Sequence, residues 1–170
     1  MTSNSHATNG AQHLPPITGA PSPSELLVCA LLYSGSAAVI QIAEFIDAEL
    51  DLNEPGRRVY QAMVSLARLD ISPAPELVRD ELQRTGQLDR QTACWLTTAI
   101  TAGAPPETAR RYAAIVVGQC LRRQVESWGL TLAAAAGGAA EDELGVLVTR
   151  FSQTVCETFG RLGVLRGDAQ

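Results

Sequence analysis

The chain is predicted to be all-α from three features of its sequence. Apolar residues recur at helical spacing in each long segment, capping residues and Gly or Pro breakers fall between those segments, and no stretch sustains the alternation of β-branched residues that a sheet needs. The order of the segments predicts a small helical globule of about five helices followed by a long antiparallel helical hairpin. The expected organisation is a tail over residues 1–21, a helical domain over 22–160 divided into a globule (22–104) and a hairpin (105–160), and a flexible tail over 161–170.

Residues 1–21 are rich in Ser, Thr, Asn, Gly and Pro and have little to bury, so nothing offsets the entropy of ordering them. Order is expected to begin at Ser22-Pro23-Ser24-Glu25. Ser22 can cap, Pro23 suits the first helical position, and Glu25 completes a capping box ahead of the apolar run Leu26 to Tyr33. That helix should end near Gly35. A second, over Ala37 to Ile46, sets Val39, Ile40, Ala43 and Ile46 inward and leaves Glu44 and Asp47 outside.

Asn53 is a plausible cap for a third helix, which starts at Glu54-Pro55, carries Val59, Met63, Leu66 and Ala67 on one face, and ends around Asp70. Ser72 to Glu76 restarts the chain into a fourth helix. It buries Leu77, Val78 and Leu82, and Gly86 can close it in a left-handed cap. Asp89 caps a fifth, whose apolar side is Trp95, Leu96, Ala99 and Ile100 and which the breaker Ala102 to Pro106 ends.

Beyond the breaker, Pro106 to Ala136 runs without a stop and would span about 45 Å as a straight helix. Its apolar positions Val117, Leu121, Val125, Trp128 and Leu132 form a seam that wants a partner helix. A Gly137-Gly138 turn and the acidic start Glu141-Asp142-Glu143 lead into the stripe Leu144, Leu147, Val148, Phe151, Val155 and Phe159. Two long helices about a short Gly turn make an antiparallel hairpin, with apolar surface left over for another copy or another protein.

Composition excludes several chemistries. All 13 basic residues are arginine, so the chain lacks the lysine that a phosphate-binding loop or an imine-forming site requires. Both histidines, His6 and His13, lie in the N-terminal tail, which leaves the body no imidazole for acid–base catalysis or zinc. Cys29, Cys94, Cys120 and Cys156 show no metal-ligand spacing and are expected to be buried thiols. A net charge of −5 argues against a surface that tracks phosphates, so direct nucleic-acid binding should be weak or absent. Neither a secretory signal nor a membrane span is evident, and the expected location is the cytoplasm. No catalytic residue, cofactor or metal ligand is expected.

Some residues admit a functional and a plain reading. The pairs Arg57-Arg58, Arg110-Arg111 and Arg122-Arg123 could contact an acidic partner or nucleic acid, but solvated faces are the more ordinary role. Trp128 could be an interface anchor or core, whereas Trp95 reads as core. Glu141-Asp142-Glu143 reads as a helix start, because consecutive helical positions point apart and no further metal ligand is in view.

Several of these pieces resemble the N-terminal domain of the DnaB-type bacterial replicative DNA helicase. Glu25 to Leu32 is similar to the opening helix of that family and Asp51 to Met63 to its third; Leu77 to Leu82, Gly86 to Leu88 and Arg111 to Arg123 continue the likeness in order. The resemblance runs from about Ser22 to Phe159. Cys29 stands where the family tends to have Gly, and Leu52 where it tends to have Phe, both tolerable as packing changes. The chain stops at Gln170, with no room for the family's motor, so unwinding is not expected.

The resemblance implies a globule plus hairpin, pairing through the hairpin into a dimer or trimer of dimers, and a surface for primase or helicase partners. The expected function is therefore a non-catalytic adaptor or regulator in DNA replication that binds the helicase or primase. A self-associating structural protein without a replicative role, or a weak nucleic-acid-binding factor, are the alternatives. Candidate interface residues are Val117, Leu121, Arg122, Arg123, Val125, Trp128, Leu132, Leu144, Val148 and Phe151.

Overall fold

A computed structural model describes residues 19–167. Its elements are α1 (Pro23–Leu32), α2 (Ser36–Ala43), α3 (Ala48–Asp51), α4 (Gly56–Arg68), α5 (Pro75–Arg84), α6 (Arg90–Ile100), a 3₁₀ turn (Pro106–Thr108), α7 (Ala109–Ala135) and α8 (Glu141–Arg166), with no strand among the described residues. The expected N-terminal tail falls almost wholly on residues 1–18, outside the described part.

The starts of three helices follow from local hydrogen-bonding chemistry. Ser22 Oγ accepts from the Glu25 amide at 3.3 Å and the Glu25 carboxylate accepts from the Ser22 amide at 2.6 Å, which forms the reciprocal capping box. Asp89 Oδ1 accepts from the Thr92 amide at 2.7 Å, capping α6. Asp47 accepts from the amides of Glu49 and Leu50 and starts α3, a single turn that the periodicity of the sequence did not reveal. Asn53 does not cap α4: Pro55 takes the cap position without a side-chain bond, and Asn53 contributes only its backbone carbonyl to the Arg57 amide.

The core is built around α1. Leu27 to Leu32 are all buried, as expected of a helix that is apolar all round. It packs against α7 on one side and against α6 and α4 on others. Val39 and Ile42 of α2, Val59 and Met63 of α4, Val78 and Leu82 of α5, and Leu96 and Ala99 of α6 close the globule over it. Leu77, expected inside, is exposed, because α5 needs only the single stripe of Val78 and Leu82 where it packs on α4. Gly56 lets α4 meet α6: a Cβ there would stand 2.8 Å from Trp95 Cζ2. Gly86 closes α5 at φ +70° as expected.

The hairpin is present and its second arm is longer than the sequence suggested. α8 continues to Arg166 and ends in a left-handed Gly167, so residues 161–166 are helical, in place of a flexible tail. Leu162 and Leu165 are buried in the core, whereas Phe159 faces out. The inward side of α8 near its base thus runs through Thr158, Leu162 and Leu165, one face round from the stripe that ended at Phe159.

Candidate interaction surface

The hairpin has a fixed base and a free outer half. In α7 every buried residue lies between Ala109 and Cys120, and in α8 every one lies between Thr158 and Leu165. From Leu121 to Glu157 no residue is buried, and beyond the turns that meet α3 and the segment over residues 45–50 the two helices pack on each other. The outer half extends about 21 Å beyond Leu121 along α7, at about 1.5 Å per residue.

A polar joint anchors the base. The Asp51 side chain, fully buried at the end of α3, receives Arg161 Nη1 from α8 at 2.6 Å and the Asp47 amide at 2.8 Å. Arg161 also donates to the Phe45 carbonyl at 2.9 Å. Thr158 Oγ1 donates to Gln124 Oε1 at 2.9 Å, tying α8 to α7. From α7, Arg123 donates to the carbonyls of Leu50 and Asp51, and the Cys120 thiol lies 3.3 Å from the Leu50 carbonyl. Burial first, then the Asp51 carboxylate, pushes the Cys120 thiol up to about 12. These contacts tie the base of the hairpin to α3 and to the Phe45 carbonyl of the globule. Among the described residues no group of three or more His, Cys, Asp or Glu could hold a metal ion.

The residues singled out from the sequence divide along this boundary. Val117 is core, and Leu121 is half-buried against the core. Arg123 is spent on the joint, and Arg122 is exposed and forms no ion pair among the described residues. Trp128 and Phe151 meet across the hairpin with ring centroids 5.9 Å apart and planes tilted by 44°, both half-buried, accompanied by half-buried Leu132 and Leu144. Val125 and Val148 are 46% and 52% exposed, and Leu130 and Val146, which the spacing did not select, are 71% and 61% exposed. Asp51 and Arg161 carried no signal in the sequence, because 110 residues separate them.

The other polar candidates have structural roles. Arg57 pairs with Glu49 and Glu54, and Arg58 with Glu54 and Asp89. Arg110 donates to the carbonyls of Val164 and Leu165 at the end of α8. Glu141, Asp142 and Glu143 occupy the first turn of α8, where carboxylates complement the exposed amides. Cys29 and Cys120 are buried as expected, but Cys94 and Cys156 are exposed, since each lies on the outer side of a helix with only one packed face.

No helix among the described residues is long and apolar enough to cross a membrane. No curated protein matches the chain. The crystal structure of the N-terminal domain of DnaB helicase from Mycobacterium tuberculosis is similar in fold, with a TM-score of 0.63 and 24% sequence identity, covering 79% of this chain and 95% of that one. The family model described as "DnaB-like helicase N terminal domain" matches residues 24–118, which comprise the globule and the first turns of α7. With more than half of its length matched in this way and the same helical architecture, the chain belongs to the family of DnaB-like helicase N-terminal domains.

Proposed function

We propose that this chain is a non-catalytic adaptor or regulator in DNA replication that uses the outer half of its hairpin to bind a second copy of itself and a replicative helicase or its primase. The observation that carries this reading is the outer hairpin itself: Val125, Leu130, Val146 and Val148 are exposed on helices with no other element to cover them. Large apolar side chains left exposed on a two-helix arm favour an interaction role over a free surface. Family membership supplies the replicative context. Val125, Trp128, Leu132, Leu144, Val148 and Phe151 are the proposed contact residues, with a dimer or trimer of dimers as the proposed assembly.

The test is a cross-linked pull-down from the host cell with the folded protein as bait. Recovery of the helicase or primase, lost on introducing Val125→Asp and Val148→Asp together, is the expected result. Recovery of neither protein would overturn the replicative part of the proposal. The chain would then stand as a self-associating structural protein if light scattering still showed a dimer or larger.

A further inference from the structure

We propose a second docking site, at the base of the hairpin, for an acidic amphipathic helix of a partner protein. A groove of about 340 Å³ runs between α7 and α8 and is lined by Ile115, Gly118, Leu121, Phe159, Leu162 and two arginines, Arg122 and Arg166. Its residues differ from those of the outer half, apart from Arg122 and Leu121, so it does not rest on the pairing proposed there.

Two properties of this groove point to its occupant. The first is apolar exposure in a fixed part of the molecule. Phe159 is 64% exposed and Ile115 39%, although the helices beneath them are anchored in the core by Val117, Leu162 and Leu165. Gly118 keeps the α7 wall low: a Cβ at that position would be in ordinary contact with Leu162 and with the Arg166 guanidinium, 3.8 Å away. Arg166 therefore reaches across the groove towards α7.

The second is charge. Arg111, Ile115, Gly118 and Arg122 follow one face of α7 at spacings of four, three and four. Arg110 adds a further cation at the end of α8. None of Arg110, Arg111, Arg122 and Arg166 forms an ion pair among the described residues, whereas Arg57, Arg58, Arg84 and Arg161 do. Glu126, one turn beyond Arg122, ends the positive stretch. An unpaired cationic rim around exposed aromatic and aliphatic side chains, on a chain whose net charge is −5, complements a helix with an apolar stripe flanked by Glu or Asp. A nucleic acid is the poorer fit, because so few cations release too few counterions to offset the repulsion of an acidic protein.

The test uses the whole chain and a fluorescein-labelled helical peptide of about five turns, with a Leu stripe flanked by Glu. A counterpart with Arg in place of each Glu and a single-stranded oligonucleotide serve as competing probes. Fluorescence anisotropy should show saturable binding of the acidic peptide alone. Affinity should fall at least about tenfold in Arg122→Glu/Arg166→Glu and in Phe159→Ala, and remain unchanged in Arg79→Glu on α5. Circular dichroism should show each variant folded, and light scattering should show its oligomeric state unchanged. The proposal is overturned if the acidic peptide does not bind, if the Arg-substituted peptide binds equally, if the groove variants bind as well as the parent, or if the oligonucleotide displaces the peptide. Loss of self-association in Phe159→Ala would assign the groove to a second copy and would equally overturn it. None of these results depends on recovering helicase or primase from cells.

Discussion

Asp51 is buried and accepts from the Asp47 amide and from Arg161, which comes from the opposite end of the chain. Removing one member of such a pair leaves an uncompensated charge. Asp51→Ala should therefore lower stability by about 3 kcal/mol, read as a shift in the denaturant midpoint. The double variant Asp51→Leu/Arg161→Met should lose less than Asp51→Ala alone, because no unpaired charge remains; an equal or larger loss would show that the pair is not what Asp51 provides. Gly56 illustrates a steric limit. The 2.8 Å approach to Trp95 means that Gly56→Ala must displace a ring, at a cost of about 1–3 kcal/mol.

The thiols separate by environment. With its pKa pushed up to about 12, Cys120 has almost no thiolate near pH 8, and iodoacetamide should modify Cys94 and Cys156 while leaving Cys120 untouched in the folded protein. The same shift gives a pH dependence. A group that holds its proton more tightly when folded favours the folded state only until the unfolded chain begins to lose that proton. Stability should thus fall as pH rises from about 9, the ordinary thiol value, towards 12. Tyr60, whose hydroxyl is raised by burial and then by the Asp51 carboxylate, acts in the same direction. Cys120→Ser should reduce the alkaline loss measured by thermal melts between those pH values.

At the scale of elements, α7 and α8 each do two jobs. Their bases belong to the core and their outer halves do not. Val125→Asp with Val148→Asp should change unfolding stability by no more than about 0.5 kcal/mol, since both side chains are exposed, while abolishing self-association in light scattering. A large loss of stability instead would mean that these positions pack within the monomer. Hydrogen exchange should report the same boundary: amides of residues 124–155 should exchange well before those of α1, whose opening requires loss of the core. Equal protection in both regions at low protein concentration would contradict a free outer hairpin.

Over the whole molecule, the globule and hairpin base form one packed unit, of which the family model matches the globule and the first turns of α7, while Leu162 and Leu165 of α8 complete the core from beyond the matched residues. The outer hairpin and the basic groove at its base are separate surfaces of that molecule, and the pull-down and the peptide titration address them separately.

Much of this was readable along the chain because it depends on near neighbours. The helical period, the Ser22 and Asp89 caps, the left-handed Gly86 and the hairpin turn all arise from contacts within a few residues, and the absence of lysine excludes a phosphate-loop lysine from these 170 residues whatever their fold. Tertiary packing alone decided which face of each helix is covered. Leu77 and Phe159 are as apolar as Val78 and Leu162, yet they are exposed, because burial depends on whether another helix arrives opposite them. The same holds for the ion pair of Asp51 with Arg161 and for the gathering of Arg122 and Arg166 around one groove. Hydrophobic attraction and charge pairing act through space, and positions 110 residues apart become neighbours only once the hairpin has folded back onto the globule.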